Sequence, residues 1–149
     1  MDSTQRIENS GWARDEFEYV HLGDQRLKTR LIKLVDRFSE TPESSINQSC
    51  QDWAEAKAAY RFFKNEKVDV NNILESHTRK TAERAQRFTK VLAIQDISYL
   101  NYTTHEKTQG LGIISKRHGQ HVKDIVANGL IMHTSFAVTT DGLPLGLLA

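Results

Sequence analysis

TAERAQRFTKVLAIQDISYL, residues 81–100, is the stretch on which the fold turns. Up to Lys90 the residues are charged and spaced as on a helix. From Val91, four apolar residues run together, Val91-Leu92-Ala93-Ile94, as in a strand buried on both faces. The sequence therefore predicts an α+β chain, helical over 11–90 and built of strands and loops over 91–149, with residues 1–10 a flexible arm.

Asp96 is the sharpest residue in that stretch. If Val91–Leu100 is extended, alternation puts Asp96 on the face of Leu92, Ile94 and Leu100. An ionised carboxylate on an apolar face is costly unless a charge or a metal compensates it. Nucleases of the two-metal type place carboxylates in this way to hold magnesium. The other reading of the same residues is a turn or cap aspartate just beyond a shorter strand.

Toward the amino terminus, four helices are expected. A short one covers about Trp12–Val20. Asp24 is placed to cap a second running to about Ser39, whose Leu27, Leu31, Leu34, Val35 and Phe38 form one buried stripe. Thr41-Pro42 ends it, and Glu43–Gln51 is expected to be a polar loop. Asp52 with Glu55 has the spacing of a helix start, and the third helix, Trp53 to about Lys64, is expected to present Trp53, Ala56, Tyr60 and Phe63 on one face. Asp69 or Asn71 caps a fourth through about Phe88, with Leu74, Thr78, Thr81, Ala85 and Phe88 in register. Short links between four helices suggest a small bundle.

Toward the carboxyl terminus, Leu111–Ser115 and Leu130–Thr140 are strand candidates, the latter with Leu130, Met132, Thr134, Phe136 and Val138 on one face. Asp141-Gly142 has the signature of a two-residue hairpin turn. Pro144 must then sit at a strand start or edge. The chain ends within an apolar segment, which suggests a sheet left without its neighbours and an edge open to pairing.

The 149 residues suit one domain, or a small domain with part of another. An apolar share of 38% is enough for a core. The longest apolar run, Gly142–Ala149, is far below the roughly 20 residues of a membrane span, and the polar start MDSTQRIENSGW has no secretory pattern. No membrane association and a cytoplasmic location are expected. Cys50 is the only cysteine, which excludes an intrachain disulfide and fits a reducing compartment.

A net charge of +1 does not itself mark a nucleic-acid binder. Residues 1–90 hold 16 of the 20 Lys and Arg but also 15 of the 19 acids, so a basic surface must come from sorting charges onto helix faces. Arg26, Arg30, Lys33 and Arg37 follow i, i+4, i+7, i+11 spacing; Lys57, Arg61 and Lys64 repeat it, as do Lys80, Arg84 and Arg87. Such stripes can track phosphates and hydrogen-bond base edges, or be ordinary solvated faces. His118 and His121 have a separation that suits a metal but lack further ligands at zinc-site spacing. Neither a phosphate-binding glycine loop nor a nucleophile elbow is present.

Four segments occur in order: Leu22-Gly23-Asp24-Gln25-Arg26, Ala59-Tyr60-Arg61-Phe62-Phe63, Leu92-Ala93-Ile94-Gln95-Asp96, and GLIMHTSFAVTTDGLPLGLL over 129–148. Together they resemble bacterial DDE transposases of the Tn-five-like insertion-sequence family, from about Trp12 to the last residue. The resemblance implies a helical amino-terminal domain that grips double-stranded DNA at the transposon-end inverted repeat. It implies next the first strands of an RNase H-like α/β domain that cuts and rejoins DNA with magnesium held by two Asp and a Glu. It would make Asp96 the first of those three, catalytic and metal-binding. It would put Arg26, Arg30 and Arg61 at the DNA, with the Ser45-Ile46-Asn47 loop nearby; helical geometry adds Tyr60 and Lys64, and the α-helical stripe adds Lys33.

The chain departs from the pattern in places. Leu27 stands where a relative has a basic residue, and Gln95 stands where an acid adjoins the catalytic position. No second Asp or Glu follows in context, since Asp124 trails a basic loop and Asp141 makes a turn. The expectation is a transposase fragment with an incomplete triad. It would bind DNA without cutting it, hold no magnesium stably by itself, and be nucleoid-associated in a bacterium; a homodimer is expected only of a full-length protein. A non-enzymatic helical DNA-binding regulator, or an adaptor without a nucleic-acid role, are the other readings.

Overall fold

Five helices and then four strands make up the described residues, 10–118 and 125–149, of this computed structural model. The chain is α+β. The expected arm lies outside the described residues except for Ser10, which opens the first helix; His121 and Asp124 also lie outside them. Between Arg84 and Ala85 the chain divides into two compact units.

In the helical unit, α1 spans Ser10–Glu16 and α2 spans Gln25–Glu40. Asp24 caps α2 as its sequence predicts, its side chain accepting from the Arg26 N–H at 2.8 Å. Gly23 just before it has φ +71°, a left-handed conformation that favours glycine. The α2 stripe buries Leu31 and Leu34, with Leu27, Val35 and Phe38 partly covered. These pack with Phe17, Val20, Leu22, Ala56, Ala59 and Phe62 into one core.

The stretch expected to be a loop holds a short helix, α3, over Ile46–Ser49. Its start is a capping box: Ser45 Oγ accepts from the Gln48 N–H and Gln48 Oε1 accepts from the Ser45 N–H at 3.0 Å. The S-x-x-Q spacing was legible.

α4 spans Trp53–Phe63 and, of the face expected from the sequence, buries Ala56 alone. Ala56, Ala59, Phe62 and Glu55 face inward, while Trp53, Tyr60 and Phe63 are exposed. The alanines carry little bulk beyond Cβ, so α2 can pack close against them. The large rings are turned to the flanks, where Phe63 stacks on Phe38 with centroids 6.4 Å apart.

α5 spans Val70–Ala85, ending short of Phe88. Its inward face is Ser76, Lys80 and Thr81; of the expected stripe Thr81 is buried, whereas Leu74 and Phe88 are exposed. A polar face serves because α1 and the turn after it present acids. Ser76 Oγ donates to the Glu16 carbonyl at 3.0 Å, Arg84 donates to both Glu16 carboxylate oxygens, and Lys80 Nζ donates to Asp15 and Glu18.

In the second unit, β1 (Val91–Asn101) pairs antiparallel with β3 (Ile125–Thr139) along its whole length. The other edge of β3 takes β2 (Gly112–Arg117) at one end and β4 (Pro144–Leu147) at the other. Pro144 opens its strand, where a missing N–H costs least. The turn after β3 is a three-residue loop, not the expected two. The Thr139 N–H donates to the Leu143 carbonyl at 2.9 Å, and Gly142, at φ +92°, accommodates the extra residue as in a type I turn with a bulge. Gly129 is required for another reason: a Cβ there would run into the Leu100 carbonyl and Ile114.

The expectation that Val91–Ile94 is buried on both faces is overturned. Leu92 and Ile94 are each 50% exposed, and the buried side chains of the described sheet, Ala137, Thr139 and Leu145, cluster where β1 and β4 flank β3. Apolar composition marks the strand, but burial needs a second layer, and the described residues of this unit contain no helix to supply it.

Candidate nucleic-acid interface

α2 and α4 share a groove of about 430 Å³. Arg26 and Arg30 line it from α2, Arg61 from α4, and Lys67 from the segment after α4. Leu27, Ala58 and Phe62 supply its apolar lining. The helices place these cations together because their opposite faces meet in the core: Leu31 and Leu34 pin α2, Ala59 and Phe62 pin α4. Three of the residues expected at DNA, Arg26, Arg30 and Arg61, thus converge on one concavity.

Their electrostatic states differ. Arg30 and Arg61 form no ion pair or side-chain hydrogen bond among the described residues, so both guanidinium forks are available. Arg26 is 91% exposed yet tied to the cap: its Nε and Nη2 donate to Asp24 at 3.2 and 2.9 Å. Those hydrogen bonds hold the Asp24 carboxyl down at about 2 and push the Arg26 guanidinium up.

Farther along α2, Lys33 lines an adjoining hollow with Gln25, Arg26, Thr29 and Arg30. It is paired with Glu55 at 2.7 Å, and Arg37 Nε lies 3.5 Å from the other Glu55 oxygen. Burial alone would raise the Glu55 carboxyl. The Gln51 N–H, Lys33 and Arg37 together outweigh it and hold the group at about 2. The lower half of the α2 stripe is therefore engaged within the protein.

Two of the three cations of the third stripe serve structure, while Arg87 is exposed. Lys80 is buried, its ammonium pushed up by hydrogen bonds to Glu18 and Asp15, and Arg84 is bound to Glu16. Sequence spacing could not separate these two from the others, because the acids that claim them lie more than sixty residues earlier.

Asn47 is exposed on α3, Tyr60 is exposed on α4 and Lys64 is exposed at its C-cap; none of the three lines the groove. Lys67 and Asn65 do, and sequence reasoning missed both. The one signal is an Asx turn in which the Lys67 N–H donates to Asn65 Oδ1 at 3.0 Å.

Residues 9–68 match the family described as transposase DNA-binding. The transposase DNA-binding match takes in α1 to α4 and every residue of the groove, and ends at Val68, before α5. It supports a transposase-related DNA-binding role, with DNA as the partner of this segment.

Asp96 lies sixth in the eleven-residue β1, opposite Thr134 of β3, on the face of Leu92, Ile94 and Leu100. It is a strand residue, not a turn or cap, and it is exposed. Among the described residues no three His, Cys, Asp or Glu side chains gather as a metal site. His118 is described and belongs to no such cluster. No helix of the described residues is long and apolar enough to cross a membrane.

Proposed function

We propose that the helical unit binds the end of a transposable DNA element, seating duplex DNA against the groove of Arg26, Arg30 and Arg61. The observation that carries this reading is the convergence of two unpaired arginines from different helices on one concavity inside the transposase DNA-binding match. Planar guanidinium forks suit phosphates and guanine edges alike.

The second unit fits the opening of an RNase H-like domain in one respect. Its strands β1, β3 and β4 lie side by side as an antiparallel set, with the Asp96 strand at the edge of the described sheet. In a complete enzyme Asp96 would be a magnesium ligand of the catalytic triad. The residues described do not make a two-metal site, since a single exposed carboxylate cannot bridge or charge-balance two divalent ions. Strand cleavage is therefore not assigned to these residues; the reading is DNA binding within cut-and-paste transposition.

The test is an equilibrium titration of the chain with inverted-repeat duplex DNA against a scrambled duplex, over a series of salt concentrations. Tighter binding to the repeat, weakening steeply with salt, is expected. Equal affinity for both duplexes would remove end recognition, and salt-independent binding would remove the phosphate contacts. No magnesium-dependent nicking is expected.

A further inference from the structure

Among the described residues no large apolar side chain is more exposed than Trp53, at 74%, and Tyr60, on the same helix, is 48% exposed. Trp53, Lys57, Tyr60 and Lys64 follow i, i+4, i+7, i+11 spacing, which places the first three on one strip of α4 and Lys64, the C-cap in αR conformation, at its end. The two lysines are exposed and form no ion pair among the described residues. The strip therefore alternates an open aromatic face with a free cation. Leaving these rings in water forgoes the burial that usually stabilises aromatic residues, so the strip is shaped for contact.

We propose that this strip is a stacking platform for unpaired DNA bases. The choice of DNA as ligand rests on the reading of the neighbouring groove, with which the strip shares α4 and the Tyr60-Arg61 junction. Charge complementarity favours a polyanion over a protein surface, which would have to supply acids at both lysines. Unpaired bases are favoured over paired ones because a duplex keeps its base faces stacked on each other, whereas an open base has a free face for indole or phenol. Trp53 and Tyr60 are about 10 Å apart along the helix axis, the rise of about three stacked bases. The lysines repeat at the same interval and would follow the phosphates of the same strand.

The full chain carrying Trp12→Phe leaves Trp53 as its single tryptophan. It would be titrated with single-stranded oligothymidylate and, separately, with a blunt duplex, following tryptophan emission and the anisotropy of labelled DNA. Saturable quenching by oligothymidylate is expected. Trp53→Ala or Tyr60→Ala should weaken oligothymidylate binding about 5- to 100-fold, and Trp53→Ala should leave the blunt duplex bound as before. Undiminished oligothymidylate binding by Trp53→Ala overturns the proposal. So does blue-shifted, iodide-insensitive Trp53 emission in the free protein, which would show another part or copy of the chain covering the ring. Duplex binding that depends on Arg30 while Trp53 emission never responds would sink the platform and keep the groove. Quenching without any duplex binding would do the reverse.

Discussion

Lys33 Nζ on α2 lies 2.7 Å from Glu55 Oε1 on α4, so a cation of the basic stripe is fastened to the helix across from it. Glu55 is 5% exposed and does three things at once. It pairs with Lys33, approaches Arg37, and accepts from the Gln51 N–H at 2.7 Å to complete the start of α4. Glu55→Gln keeps an acceptor for Gln51 but removes the charge facing two cations. We expect it to cost about 1–3 kcal/mol, read as a lower midpoint in urea unfolding with native helix content retained.

The same carboxylate sets an acid limit. Its folded value of about 2 is below the ordinary 4.5, so its contribution is fully present above 4.5 and fades as pH falls through about 2. That contribution is on the order of 3 kcal/mol. Asp36 works in the opposite sense, because burial, and then Glu40, push its carboxyl up. Urea midpoints measured from neutral pH down to about pH 2 should fall in wild type and stay flatter in Glu55→Gln; parallel curves would show that Glu55 is not the group responsible.

Arg30→Ala and Arg61→Ala should each weaken duplex binding and lower the log–log salt slope by about 0.9 for each phosphate the side chain had neutralised. Neither side chain has an internal ion-pair partner among the described residues, so thermal stability should change little. Fluorescence anisotropy at several salt concentrations, beside thermal unfolding, measures both.

Asp24→Asn separates capping from charge. Asn also caps helices well, but it releases the Arg26 guanidinium now held at 2.9 Å. Duplex affinity at low salt should rise about 2- to 5-fold with the melting temperature nearly unchanged. Unaltered affinity would mean that Arg26 does not meet DNA.

Gly129→Ala should damage the sheet, since the added Cβ would meet the Leu100 carbonyl of the paired strand. A loss of about 1–3 kcal/mol is expected, seen as faster amide exchange across β1 and β3 while the helical unit keeps its protection.

Where local rules govern, the elements were readable. Asp24, Asp52 and the α2 leucines announced two helices, and Val91–Ile94 announced the first strand. Burial was less so. Periodicity counts apolar residues, and on α4 it favoured Trp53, Tyr60 and Phe63, although the close approach of α2 selects alanines. On α5 it could not foresee a buried lysine, because the stabilising partners Asp15 and Glu18 come from a distant helix and its following turn.

Helix starts, the strand alternation that puts Asp96 among Leu92, Ile94 and Leu100, and the spacing of the arginines were fixed by sequence alone, because each depends on residues within a turn or two. Which arginines remain free for DNA was decided only by tertiary structure. Arg30, Arg61, Lys80 and Arg84 carry the same charge on similar helices, but Lys80 and Arg84 face acids across the fold whereas Arg30 and Arg61 face an open groove. A cation's availability depends on what lies opposite it, and that is set by packing.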